Sequence, residues 1–148
     1  MCGYKRNNLY LQQATREEKE VFISTLCTLA QIDGKIKAEE MRFIEILSQK
    51  LELELEPQFF SYSTTNCLHK LSNIKNRRLK LEIIKTMLIM AYTNNNFSDS
   101  ESSFICAVSE ALQIEAQKIS EISSWIIDHI IWLEQEQLIF EETSPKGE

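Results

Sequence analysis

Asp33 and Glu40 stand at the two ends of one short turn, Asp33-Gly34-Lys35-Ile36-Lys37-Ala38-Glu39-Glu40. Carboxylates gathered at a turn are the usual oxygen donors for hard divalent cations. The stretch matches the second half of an EF-hand loop, but the first half fails. With Gly34 in the sixth place, the first and third places fall on Leu29 and Gln31, and a leucine coordinates nothing. An EF-hand is rejected. A different cation site fits the pattern: Asp33 ends the apolar stripe of one helix and Glu40 begins that of the next, so both acids lie toward the core. Asp33 also falls at a helix C-terminus, where an acid is unfavourable by roughly 0.3–1 kcal/mol and a bridging cation would relieve it. Further along, Asn94 and Glu101 repeat the arrangement. Ca²⁺, Mg²⁺, Mn²⁺ or Zn²⁺ is the class of ion such donors would take. The same residues also have a metal-free account. Ser98-x-x-Glu101 is a capping box, and Glu40 can do the same for Lys37. Asp33 before Gly34 is ordinary turn chemistry, and Lys35 and Lys37 can neutralise the acids.

The elements that position these residues are duplicated. Val21–Glu54 aligns with Glu82–Glu115 at a constant offset of 61 residues, without gaps. Identities include Ile23/Ile84, Thr25/Thr86, Ala30/Ala91, Glu40/Glu101, Ile44/Ile105, Ser48/Ser109 and Leu51/Leu112. An internal repeat sets the architecture before any other signal. The expected fold is all-α: one helical domain of about seven helices with an internal pseudo-two-fold repeat.

Thr15 with Glu18 opens the first long helix, whose stripe is Phe22, Ile23, Leu26, Leu29 and Ala30; Gly34 stops it. A second helix runs from Ala38 to Leu53. Short helices follow, one starting at Pro57 and passing Phe59 and Phe60, one capped by Ser63 or Thr64. The repeat returns over Arg77–Thr93, with Asn94-Asn95-Asn96 in place of the glycine stop, and from Ser98 to Leu112. A last helix spans Ala116–Glu136 or slightly more. Its apolar positions, Ile119, Ile122, Trp125, Ile126, Ile127, Ile130, Ile131 and Leu133, are wider than one stripe and predict packing on two sides. The organisation is then a polar segment over 1–15 and a helical domain over 16–140. Within it, repeat one covers 16–54, linker helices 55–76, repeat two 77–115 and a closing helix 116–140. A disordered tail spans 141–148.

The pattern Ala30-x-x-Asp33-Gly34-x-Ile36-x-x-x-Glu40, followed by a helix ending in Leu51-x-Leu53 and repeated once, resembles the TerB-like family, the tellurite-resistance TerB domains and their relatives. The segment Leu71–Arg78 leading into the second copy is also similar to that family. The resemblance spans about Glu17–Ile114. It implies a pseudo-symmetric helical domain with an acidic site between its halves, a link to tellurite resistance and stress response, and in some members divalent-metal binding. Carried over by position, the acidic residues are Asp33, Glu40 and Glu101, with Asp99 beside them. Asn94 departs from the family pattern, which keeps Asp-Gly there; an amide oxygen can coordinate but brings no charge.

Composition narrows the alternatives. The 148 residues include only three glycines and two prolines, too little punctuation for a sheet-rich fold. A net charge of −6 disfavours nucleic-acid binding, and the one basic run, Lys75–Lys80, reads as a solvated helix end. No apolar run approaches a membrane span. The N-terminus carries no secretory signal, and Gly3 is one place late for myristoylation. A cytoplasmic setting is expected. Cys27 and Cys106 read as small buried hydrophobes, and Cys67-x-His69 has no second pair at zinc-finger spacing. His129, one turn beyond Trp125, reads as a boundary residue. No nucleophile–base pair or phosphate loop is visible, so no enzyme is expected. The alternative to the cation-binding domain is a metal-free protein–protein interaction module, docking through Trp125, Trp132, Phe59 or Phe60. An unknown protein partner and a homodimer both remain open.

Overall fold

Four of the helices start at a residue whose side chain accepts from an otherwise orphaned backbone N–H. In the computed structural model, which describes residues 13–93 and 98–140, Thr15 Oγ1 accepts the Glu18 N–H at 3.1 Å and Glu18 Oε1 accepts the Thr15 N–H at 2.9 Å. This box opens α1 (Arg16–Gln31). Helix α2 is Ala38–Lys50, and a 3-10 helix, Pro57–Phe60, carries Pro57 in its first turn. Ser63 Oγ accepts from Asn66 at 3.1 Å and opens α3 (Thr64–Leu71). Asn76 Oδ1 accepts from Leu79 at 3.0 Å at the start of α4 (Arg77–Thr93). Helices α5 (Asp99–Ala111) and α6 (Ala116–Phe140) complete the chain.

Helix α1 is the hub. Every residue from Val21 to Ala30 is buried. An amphipathic helix buries one face; α1 buries all of them because α2, the 3-10 helix, α3, α4 and α5 all pack on it. Its two buried threonines bond their own backbone: Thr25 Oγ1 donates to the Val21 carbonyl at 2.7 Å and Thr28 Oγ1 to the Ser24 carbonyl at 2.9 Å. Gly34, just beyond α1, has φ +121°, a value L side chains rarely adopt.

The offset of 61 residues recurs in local geometry. Thr86 Oγ1 donates to the Glu82 carbonyl at 2.7 Å, as Thr25 does to Val21. Helices α2 and α5 each have 13 residues. Both end in a Schellman motif. Leu53 N–H donates to Ser48 O at 2.9 Å and Glu52 N–H to Gln49 O at 3.0 Å; Ile114 to Ser109 and Gln113 to Glu110 both measure 3.0 Å. The left-handed residue is Glu52 in one (φ 57°) and Gln113 in the other (φ 59°), so neither helix needs a glycine to stop.

The all-helical expectation holds: among the described residues there are six α-helices, one 3-10 helix and no strand. Three local expectations are corrected. Among the described residues, the last helix packs on one side rather than two. It lies against α4, and Trp125, Ile127, Ile131 and Leu133 are exposed. Cys106 is exposed rather than buried, because the core face of α5 is taken by Phe104, Ile105 and Val108. Phe59 is buried and Phe60 half-buried, since the 3-10 helix packs onto α1. The segments 1–12, 94–97 and 141–148 lie outside the described residues, and with them Asn94 and the expected disordered tail.

Candidate functional site

The repeat places Glu40 and Glu101 at the same point of their helices, three residues past the N-cap. Glu40 Oε1 accepts the Lys37 N–H at 3.1 Å, and Glu101 Oε1 accepts the Ser98 N–H at 3.1 Å. Ser98 Oγ completes the second box by accepting the Glu101 N–H at 3.1 Å. Lysine has no acceptor, so Lys37 supplies no side-chain cap to α2. Both glutamates are 4% exposed, whereas Asp33 and Asp99 are exposed.

The two acidic turns share one electrostatic environment. Burial pushes the Glu101 carboxyl above its ordinary range, and the charges of Asp33 and Glu40 push it further; the Ser98 N–H and Lys37 act in the opposite direction. Asp33, Glu40 and Glu101 are thus brought within electrostatic reach across the two copies. Asp99 is set apart from them. It lines an open recess of about 470 Å³ with Ile32, Thr64, Ser103 and Phe104. Among the described residues, no three His, Cys, Asp or Glu side chains form a group able to hold a metal ion. The carboxylates are near enough to feel one another, yet do not converge as a ligand set. Cys67 is buried in α3 while His69 is exposed, so that pair does not converge either.

The larger feature lies on α6. Nine large apolar residues are exposed among the described residues, and eight of them belong to this helix: Trp125, Ile127, Ile131, Trp132, Leu133, Leu138, Ile139 and Phe140. Length explains the exposure of the six from Ile131 onward; Trp125 and Ile127 lie off the side that Ile122, Ile126 and Ile130 turn to the core. Helix α6 has 25 residues and its neighbour α4 has 17, a difference of about 12 Å at 1.5 Å per residue. Ile119, Ile122, Ile126 and Ile130 face the core, and every residue from 131 to 140 is exposed. At the near end, a groove of about 370 Å³ opens between α4 and α6, walled by Leu81, Ile122 and Trp125. On its rim, Glu82 binds Arg78 at 2.9 Å and Lys85 at 2.8 Å, while Lys118 holds Glu121 at 2.9 Å.

Comparison with protein-family models, curated proteins and solved structures finds no match. The reading therefore rests on the site itself. His129 is stacked between two indoles, 6.0 Å from the Trp125 ring and 6.0 Å from Trp132, at interplanar angles of 11° and 22°. This exposed aromatic ladder was not foreseen for His129; its signal was the spacing Trp125-x3-His129-x2-Trp132 along one side of a helix. Glu82 was also missed. It is a buried carboxylate held by two cations, and the aligned residue in copy one is Val21, so the repeat offered no cue. The basic run of Lys75–Lys80 is partly absorbed into ion pairs: Arg77 forks onto Glu115 at 3.0 and 3.1 Å, and Arg78 onto Glu82. In the core, burial first and Cys67 second push the Cys27 thiol up to about 12, which suits a packed hydrophobe rather than a nucleophile.

Proposed function

We propose that this chain is a non-enzymatic helical interaction module that docks a helix of a partner protein on α6. The observation that carries the reading is the concentration of eight exposed large apolar side chains on one helix, with two tryptophans among them. Contiguous apolar surface of this kind marks interaction sites, and tryptophan is over-represented among the residues that dominate binding energy. An amphipathic partner helix laid along α6 would cover it by the helix-on-surface mode of recognition. The test is titration with a synthetic amphipathic helix of leucine and glutamine, read by tryptophan emission. Trp125 and Trp132 are the only tryptophans of the chain. A saturable blue shift, lost in the double variant Leu138→Ser, Ile139→Ser, is expected; no shift at any concentration overturns the reading.

A second reading, a TerB-like domain with a divalent cation at the acidic turns, draws support from the field that Asp33 and Glu40 exert on Glu101. The missing three-ligand group among the described residues makes it the weaker of the two. Its test is the melting temperature in Ca²⁺, Mg²⁺, Mn²⁺ or Zn²⁺. A rise that Asp33→Asn abolishes supports a bound ion, and no rise with any of the four removes it.

A further inference from the structure

We infer that the partner helix is basic, with lysines or arginines flanking its apolar stripe; the inference rests on the docking role of α6. From Ile119 to Phe140 the helix carries Glu121, Asp128, Glu134 and Glu136 and no lysine or arginine. At about 100° per residue, six of the eight exposed apolar residues fall into two stripes, Trp125-Trp132-Ile139 and Ile127-Ile131-Leu138, while Leu133 and Phe140 continue the line of Ile122 and Ile126 beyond the core. Asp128 lies between the stripes, Glu134 at one outer edge and Glu136 at the other. Any helix resting on both stripes therefore brings its flanks against carboxylates. Basic flanks meet them with complementary charge, and acidic flanks are repelled. The tryptophans add to the preference, because an exposed indole face attracts lysine and arginine cations.

The same charges argue against the other occupants. A second copy laid antiparallel on α6 would set Asp128, Glu134 and Glu136 against the same three acids, since Lys118 is already paired with Glu121. An anionic lipid surface would repel the helix, and helices that lie in such surfaces carry lysine and arginine on their polar face. The groove beside Trp125 continues the apolar surface toward α4 and offers the partner's end an anchoring hollow walled by Leu81 and Ile122.

The experiment uses the whole chain and three peptides of one leucine pattern, with lysine, glutamine or glutamate at the polar positions. Tryptophan emission is followed at low and high salt. The lysine peptide is expected to bind about tenfold or more tighter than the glutamine peptide, with the preference shrinking as salt rises, and the glutamate peptide to give no shift. Equal binding of all three sinks the charge inference and leaves the docking surface standing. Failure of all three removes both. The variant Leu138→Ser, Ile139→Ser takes one residue from each stripe, keeps every charge and, because both residues are exposed, keeps the fold, which circular dichroism checks. If it binds the lysine peptide as well as the parent does, the attraction is bulk charge and the inference falls. A blue shift that grows with protein concentration alone, together with a dimer in light scattering, assigns the surface to a second copy and overturns it.

Discussion

The repeat allows a cap to be exchanged between its copies. Ser98 and Lys37 occupy the same position, with φ/ψ of −83°/164° and −78°/156°, and both helices carry a buried glutamate at N3. Ser98 accepts the N3 amide and Lys37 has no oxygen to do so. Replacing a serine N-cap by alanine costs about 1 kcal/mol, so Ser98→Ala should lower the melting temperature by about 2–4 °C in a domain of this size. Lys37→Ser should move the other way. It adds a cap worth about 1 kcal/mol. It also removes a cation from a helix N-terminus, a gain of roughly 0.3–1 kcal/mol. Against these stands the lost attraction between exposed Lys37 and Glu101, at most about 0.5 kcal/mol after solvent screening. The net expectation is a rise of about 2–4 °C. Salt weakens both charge terms and leaves the cap term, so the rise should persist at high ionic strength. Paired melts of the two single variants, at low and high salt, make the measurement. A Lys37→Ser protein that melts lower in high salt, or a Ser98→Ala protein that melts unchanged, would refute the idea that these turns are built on equivalent caps.

Two further outcomes are expected. Because the Glu101 carboxyl lies above its ordinary 4.5 in the folded chain, its neutral form favours folding; that contribution is complete below 4.5 and lost as pH rises through the folded value. Glu101→Gln keeps the acceptor for the Ser98 N–H and removes the charge, so its melting temperature should exceed the parent's at pH 7 and match it near pH 4. A difference that instead widens on acidification contradicts the assignment. At the ends of α2 and α5, Glu52→Gly and Gln113→Gly should each stabilise by about 0.5–1 kcal/mol, since glycine adopts the left-handed conformation without the Cβ penalty. Chemical denaturation of the single variants tests this, and a loss of stability in both would show that the side chains at these two stops outweigh the strain.

The starts of helices were legible because the acceptor residues Thr15, Ser63 and Ser98 advertise them in the sequence. Their stops were less so. Glu52 and Gln113 take a conformation that composition assigns to glycine, and hydrogen bonds from Leu53 and Ile114 hold them there. The sequence offset of 61 pairs Glu40 with Glu101, and each accepts the N–H of its N-cap residue at 3.1 Å. The apolar stripe placed Asp33 toward the core, and the structure corrects this: Asp33 is exposed, as Asp99 is, because Asp33 lies past the end of α1, where the helical stripe no longer sets the direction of a side chain. Helix α6 shows the sharpest limit. Ile126 and Ile127 are the same residue type side by side, one 3% and the other 40% exposed. Periodicity records that both sides are apolar. It does not distinguish the side that meets α4 from the side that awaits another molecule.

The enclosure of α1 bears on how the molecule opens. Its ten consecutive buried residues are sheathed by elements reaching from α2 to α5, so no small fluctuation of one neighbour bares its amides to solvent. Those amides should exchange hydrogen only when the whole domain comes apart, at the slow limit set by global unfolding, whereas the overhanging end of α6 exchanges through local fraying. Neither copy alone supplies the sheath. The cooperative unit is therefore the fused pair, and a chain cut at the junction between copies would leave an apolar rod without its jacket.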